Sequence, residues 1–272
     1  MGPDPVAPTI LRVHVQEPPL RVVRAFSATD GAALVHLHNV SGGVLGGDQL
    51  WIEAEVGAHA HAQITSTGAT RIYRQRESRT LATQVTRFTV QPGALLEYLP
   101  DMLIPFADSA YRQTTRIELG ADAGLFYWEV VTPGREAKGE VFQYERLQLD
   151  LDIWAEGRPL AIERMRLEPK RRPLTSLARM GSYRYFSTFY ICRVGVAPSC
   201  WLALEAQLTE LANRLTVVGQ VVWGVSTLRA HGLIVRGVSQ SNRLLTPMLP
   251  CFWQLAKQEL YQAAAVLPRK IY

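Results

Sequence analysis

Three glutamates stand inside apolar, strand-like runs: Glu97 in Leu95-Leu96-Glu97-Tyr98-Leu99, Glu129 in Phe126-Tyr127-Trp128-Glu129-Val130-Val131, and Glu163 in Leu160-Ala161-Ile162-Glu163-Arg164-Met165. A carboxylate taken out of water is costly unless it is paired or hydrogen-bonded. Each must therefore face solvent, meet an arginine such as Arg71, Arg74, Arg135 or Arg164, or line a wet interior passage. Oxygen donors hold divalent transition-metal ions less firmly than imidazole or thiolate, so scattered carboxylates suit transfer of such an ion better than its storage.

Two alternating histidine pairs, His36-x-His38 and His59-x-His61, would point to one face if they lie on strands, which is the geometry of a metal site. Alternation also places polar residues on the solvated face of any antiparallel strand, and that is the plainer explanation. Nucleophilic catalysis has no local signature. Gly181-Ser182 and Ser66-Thr67-Gly68 lack the G-x-S-x-G elbow, and no cysteine sits beside a histidine in a recognisable motif.

A denser signal is the stretch Gly42-Gly43-Val44-Leu45-Gly46-Gly47-Asp48. Its spacing from Gly42 fits G-x-x-x-x-G, but Asp48 stands where a phosphate-binding loop needs lysine. Val44 likewise occupies the second glycine of a dinucleotide fingerprint, and residues 49–56 read as a strand where that motif needs a helix N-terminus. The glycines therefore predict a strand connection in which backbones approach closely.

The elements that must position these residues are mostly strands. From residue 9 to 167 the dominant period is two, with strands expected at 10–15, 33–39, 49–56, 60–67, 81–90, 94–99, 110–119, 124–131, 140–153 and 159–167. Turn chemistry separates them, as in Gln91-Pro92-Gly93, Thr132-Pro133-Gly134 and Glu156-Gly157-Arg158. No helical pattern interrupts the run, so largely antiparallel, layered sheets are expected. Further strands are predicted at 183–194, 217–228 and 232–238. Trp201, Leu204, Leu208, Leu211, Ala212 and Leu215 recur at helical spacing after Pro198, and Leu249, Phe252, Trp253, Ala256, Leu260 and Ala264 do so after Pro247 and Pro250. The prediction is one mainly β domain over residues 1–272, β-rich from 9 to 168, with two α-helices in a mixed segment from 180 to 272.

Composition narrows the class. A hydrophobic content of 47% with 19% charged residues belongs to a soluble globular chain. No apolar window is long enough for a membrane helix, and the first residues lack a basic, then apolar leader, so a cytoplasmic protein is expected. Cys192, Cys200 and Cys251 suggest neither a disulfide framework nor a zinc ribbon. The net charge of +5 is dispersed except at Lys170-Arg171-Arg172, between two prolines, so nucleic acid is not expected as a partner.

The glycine stretch, together with Thr65-Ser66-Thr67-Gly68-Ala69-Thr70-Arg71-Ile72-Tyr73-Arg74, Leu96-Glu97-Tyr98-Leu99-Pro100, Gly134-Arg135 with Gly139-Glu140, Glu163-Arg164 and the ending Pro268-Arg269-Lys270-Ile271-Tyr272, resembles the urease accessory protein UreD (UreH) family from about residue 9 onward. That resemblance implies a non-enzymatic maturation chaperone with a mainly β fold and two helices. It implies binding to UreF, recruitment of the GTPase UreG through UreF, and docking on apo-urease. No cofactor is bound tightly, and nickel passes in transit through an internal tunnel. The matching path positions are Asp48, Glu129, Glu140 and Glu163; motif positions are Gly42, Gly43, Gly46, Gly47, Arg71, Tyr73, Gly134 and Arg135. Phe252, Trp253 and Leu260 are the partner-binding candidates. Two features depart from the family pattern: Pro247 and Pro250 are expected to shorten the last helical segment, and His59-x-His61 has no counterpart. The alternatives are an enzyme using the strand-borne carboxylates, and a binder of nucleic acid or another acidic surface.

Overall fold

The structure, a computed structural model, describes residues 8–13, 15–28, 30–75 and 80–267. Two sheets dominate it. The larger runs β1(Leu20–Ser27), β2(Ala33–Asn39), β4(His61–Ser66), β7(Leu95–Tyr98), β10(Gly124–Val131), β13(Tyr185–Arg193), β15(Gly232–Ser239), β14(Val221–Thr227), with short β5(Thr70–Ile72) and β8(Leu103–Pro105) extending it beside β10. The smaller is ordered β12(Arg158–Leu167), β11(Arg146–Ala155), β9(Ala110–Leu119), β6(Ala82–Val90), β3(Gln49–Val56).

The mainly β expectation holds, with one correction. Among the described pairings eight are parallel and five antiparallel. Parallel neighbours need a crossover between them. Here the crossover is a strand of the facing sheet. The chain alternates β2, β3, β4, β6, β7, β9, β10, β11, so β2-β4-β7-β10 stack in parallel on one layer and β3-β6-β9-β11 on the other. A crossover made of strand has the same period of two as the strands it joins, so sequence periodicity could not reveal the winding. Among the described pairings, antiparallel ones are confined to the ends of the coil: β1 with β2, β11 with β12, and β10 with β13, β13 with β15 and β15 with β14.

Several boundaries also shift. The described residues of 10–15 form no strand, while β1, whose pairing slips between Val22 and Ala25, lies further on. β5 and β8 are too short to show a period. Residues 140–145 are bends and irregular chain, so β11 begins only at Arg146.

Alternation divides the central strands of the larger sheet between two cores. On β10, Leu125, Tyr127 and Val131 face the smaller sheet, whereas Phe126, Trp128 and Val130 face the opposite way, toward the helices. Helix α1(Pro198–Leu215) buries Trp201, Leu204, Leu208 and Ala212 on that outer face. Leu245 at the end of α2(Asn242–Leu245), then a 3₁₀ turn over Thr246–Met248, lead into α3(Leu249–Tyr261), which buries Leu249, Phe252, Trp253 and Ala256. The expected shortening by Pro247 and Pro250 does not occur. Each proline falls in the first turn of its own piece, where no intrahelical N–H is lost, and the helical path runs on from Asn242 to Tyr261.

The glycine stretch is the first rung of the coil. Val44 bridges Ile72 in parallel, Ile72 pairs Pro105, and the Val44 amide donates to the Arg71 carbonyl at 2.8 Å. A Cβ on Gly43 would lie 2.6 Å from the Tyr73 ring and 2.7 Å from that carbonyl, so only glycine allows the approach. Gly43→Ala is expected to destabilise the protein by about 1–3 kcal/mol, whereas Gly57→Ala, with nothing within 4 Å, is expected to be close to neutral. Denaturant midpoints of the two variants check this.

Candidate functional site

The winding places equivalent residues of successive turns side by side, and one consequence is a polar belt through the inter-sheet core. Gln84 pairs in register with Gln113, and Thr86 with Thr115, on neighbouring strands β6 and β9. All four are buried and face inward. Above them the core is apolar (Phe88, Ile117, Leu125, Ile153), and below them it is apolar again (Leu50, Ala82, Val131, Leu147). Glu129 of β10 projects into the belt and accepts a hydrogen bond from Gln113 Nε2, while Tyr111 donates to Gln113 Oε1 at 3.3 Å. The Tyr127 hydroxyl is buried beside the same carboxylate, with no well-formed hydrogen bond of its own. Burial, opposed only in part by Tyr127 and Gln113, pushes the Glu129 carboxyl up to about 7, with Glu163 adding to the rise.

The belt reaches the surface at Glu163. Its Oε2 accepts from Tyr190, whose ring stacks on Tyr127 at 6.3 Å and 12°; Tyr127 in turn stacks on Tyr98 at 5.3 Å and 6°. Its Oε1 lies 3.1 Å from Arg236. Glu163, Tyr190 and Arg236 line a groove of about 480 Å³ between the free edges of the two sheets, β12 and β14.

A second buried polar group lies on the other face of the larger sheet. Glu97 is 1% exposed and Lys257, on α3, is 1% exposed; their charged atoms are 3.0 Å apart. Trp253 Nε1 and Gln63 Nε2 donate to the same carboxylate at 3.2 and 3.0 Å, and His61 Nε2 stands 3.3 Å away. Lys257 also reaches Asp30 at 3.3 Å. Burial would raise the Asp30 carboxyl, but His61 and Lys257 outweigh it and hold it below its usual value. This cluster fastens the last helix to β4 and β7.

The motif residues meet at one end of the coil. Tyr73 packs edge-on against Phe106 at 5.2 Å, Arg135 lies over Phe106 at 4.1 Å, and Glu140 binds Arg135 and the Ala107 amide. The Arg71 and Tyr73 side chains both reach the Gly42 carbonyl. Gly134, at φ 136°, has the Glu140 carbonyl 2.6 Å from where a Cβ would stand. The hydrogen bond to Arg135 lowers the Glu140 carboxyl. Asp48 accepts from the Leu45 amide and closes the glycine turn; Gly46 and Gly47 pack against Thr80.

Glu129 and Glu163 are thus brought together, while Asp48 and Glu140 stand apart from the belt at the glycine-rich end. Phe252 and Trp253 are buried, Phe252 against Trp223 at 4.9 Å and Trp253 against Trp128 at 6.0 Å, and Leu260 is half-buried. His59 lies at φ 57° in the turn before β4, so it does not share a strand face with His61. His36 packs edge-on against Phe26 at 5.8 Å. Among the described residues no three His, Cys, Asp or Glu side chains converge as metal ligands. The ending 268–272 lies outside the described residues.

Gln84, Gln113, Tyr190, Arg236 and Lys257 were not singled out from sequence. A signal for the first two exists: Gln84-Val85-Thr86-Arg87 and Gln113-Thr114-Thr115-Arg116 repeat Gln-x-Thr-Arg on successive turns. The basic charge is paired across the outer face of the smaller sheet, Arg112 with Asp150, Arg116 with Glu118, Arg164 with Asp152, and Lys170 bonds Asp108 and Glu145. No described helix is long and apolar enough to cross a membrane.

Comparison with known proteins agrees with the resemblance. A family model described as UreD urease accessory protein matches residues 5–271. The urease accessory protein UreD of Herpetosiphon aurantiacus is 50% identical over 97% of this chain and 92% of its own length. UreD 2 of Pseudomonas syringae pv. tomato is 35% identical over 92% of this chain and 85% of its own, and UreD of Klebsiella aerogenes 29% over 96% and 90%.

Removing the ammonium of Lys257 leaves the buried Glu97 carboxylate without its lysine partner. Lys257→Met is therefore expected to destabilise the protein by about 3–5 kcal/mol, and adding Glu97→Gln to recover much of that loss, as a double-mutant cycle in denaturant would show. For Glu129 the folded-state value lies above the unfolded one, so its contribution is fully present below the unfolded value near 4.5 and is lost as pH rises through about 7. Stability is expected to fall over that window by at most about 3 kcal/mol, and Glu129→Gln to remove this component of the pH profile.

Proposed function

Because the chain belongs to the UreD urease accessory protein family, we propose that it is a non-enzymatic scaffold for urease maturation. It binds UreF, recruits UreG through UreF, docks on apo-urease, and passes nickel through its interior toward the urease active site. The observation that carries the passage is the polar belt: a half-buried carboxylate, Glu129, set between the sheets beside Gln113 and the Tyr127 hydroxyl, and close enough to Glu163 of the surface groove for the two charges to interact.

The chemistry of the belt suits an ion in motion. Amide and hydroxyl oxygens with single carboxylates are weak nickel donors, and the described residues gather no three-ligand set that would retain the metal. Asp48 and Glu140, engaged by Leu45 and Arg135, have a structural part in this reading, shaping the glycine-rich end. All three cysteines are free thiols, as suits the cytoplasm. Burial pushes the Cys192 thiol up to about 12, so it supplies no thiolate for catalysis.

For UreF the fitting surface is the apolar groove of about 550 Å³ between α1 and α3, lined by Leu211, Pro250, Leu255, Ala265 and Leu267. Trp253 also lines it.

Coexpression with urease subunits, UreF and UreG tests both parts. Leu255→Glu is expected to abolish co-purification with UreF. Glu129→Gln is expected to keep the complex intact and to lower urease nickel content and activation about tenfold or more, on the scale of about 1.4 kcal/mol per decade. Wild-type activation by an intact Glu129→Gln complex would remove the internal route and leave the scaffold.

A further inference from the structure

The two oxygens of Glu163 are held in very different ways. Oε2 is bonded from inside by Tyr190, which is 2% exposed and fixed by stacking on Tyr127. Oε1 is bonded from outside by Arg236, whose side chain is 60% exposed. The inner partner cannot leave without opening the core. The outer one can, because an exposed ion pair in water is weak and a guanidinium swinging into solvent is rehydrated.

Arg236 sits in cross-strand register with Thr188, and Thr188 with Glu129. The guanidinium therefore stands in the cross-strand row that leads to the half-buried Glu129 carboxylate. A cation in the groove meets a positive charge first and the acceptor oxygen behind it.

Resting on the passage reading above, we propose that Arg236 is a displaceable plug: a divalent cation enters by replacing the guanidinium on Glu163 Oε1, while Tyr190 keeps the carboxylate aimed into the groove. No bond is made or broken covalently; one monovalent partner leaves and a divalent one takes its place. The plug makes entry selective. A monovalent ion gains nothing over the guanidinium it must displace, whereas a doubly charged ion is attracted about twice as strongly at equal distance. It also keeps the mouth closed when no divalent ion is present.

The test uses the full chain with Mn²⁺ as a paramagnetic probe, read by broadening of the methyl signals of Ile162, Val225 and Ile234, which line the groove. Arg236→Met removes the charge at an exposed position and is expected to lower the Mn²⁺ concentration needed for broadening about tenfold. Arg236→Lys keeps a charge there and is expected to stay near the wild type. Glu163→Gln is expected to abolish site-specific broadening. Equal Mn²⁺ dependence for wild type and Arg236→Met overturns the plug, as does broadening that survives Glu163→Gln. In coexpression at limiting nickel, Arg236→Met is expected to raise urease activation, which loss of a merely structural ion pair would not do. The internal route is judged separately by Glu129→Gln, so a failed plug and a failed route give different results.

Discussion

Everything in this molecule depends on the requirement that each turn of chain cross from one sheet to the other and back. Parallel strands cannot be joined by a tight turn, and this fold meets that constraint with a strand of the facing layer. The result is a coil in which position n of one turn lies against its equivalent in the next, as Gln84 lies against Gln113 and Val44 against Ile72. A polar residue placed once inside such a coil is isolated and costly. Placed on successive turns it gathers polar neighbours, and in the belt Gln84 donates to Thr86 on its own strand while Gln113 donates to Thr115 and Glu129.

The same winding explains the glycines. Rungs of the coil are separated by a strand spacing of about 4.8 Å, which leaves no room for side chains where a connection runs directly over the rung beneath it. Gly43 over Tyr73 and Gly134 over the Pro105 carbonyl are two such crossings. Gly42, Gly43, Arg71, Tyr73, Gly134 and Arg135 therefore collect at the end of the coil where these connections run.

Carboxylates of one chemical type are put to three uses according to depth. Glu140, paired with Arg135 near the surface, stays below its usual value and braces a turn. Glu97, buried against Lys257 and Trp253, locks the last helix onto the sheet, and that helix forms one wall of the apolar groove. Glu129, half-buried between the sheets with no ion pair among the described residues, has its carboxyl raised to about 7 and so changes charge near neutrality.

By itself the sequence determined the class of fold, because alternation and helical spacing are local properties: β2, β3, β6, β9 and β10 fall where period two places them, and α1 and α3 where Trp201 to Leu215 and Leu249 to Leu260 recur at three and four. It also marked Glu97, Glu129 and Glu163 as acids in apolar surroundings. Strand direction and the fate of each acid were decided only in three dimensions. Period two is the same for parallel and antiparallel neighbours, and nothing near Glu97 in the chain announces a lysine 160 positions later. The partners of a buried charge are chosen by the winding, which brings distant residues together, so local pattern could name the carboxylates but not say which would be locked by a lysine, which braced by an arginine and which left among amides and hydroxyls.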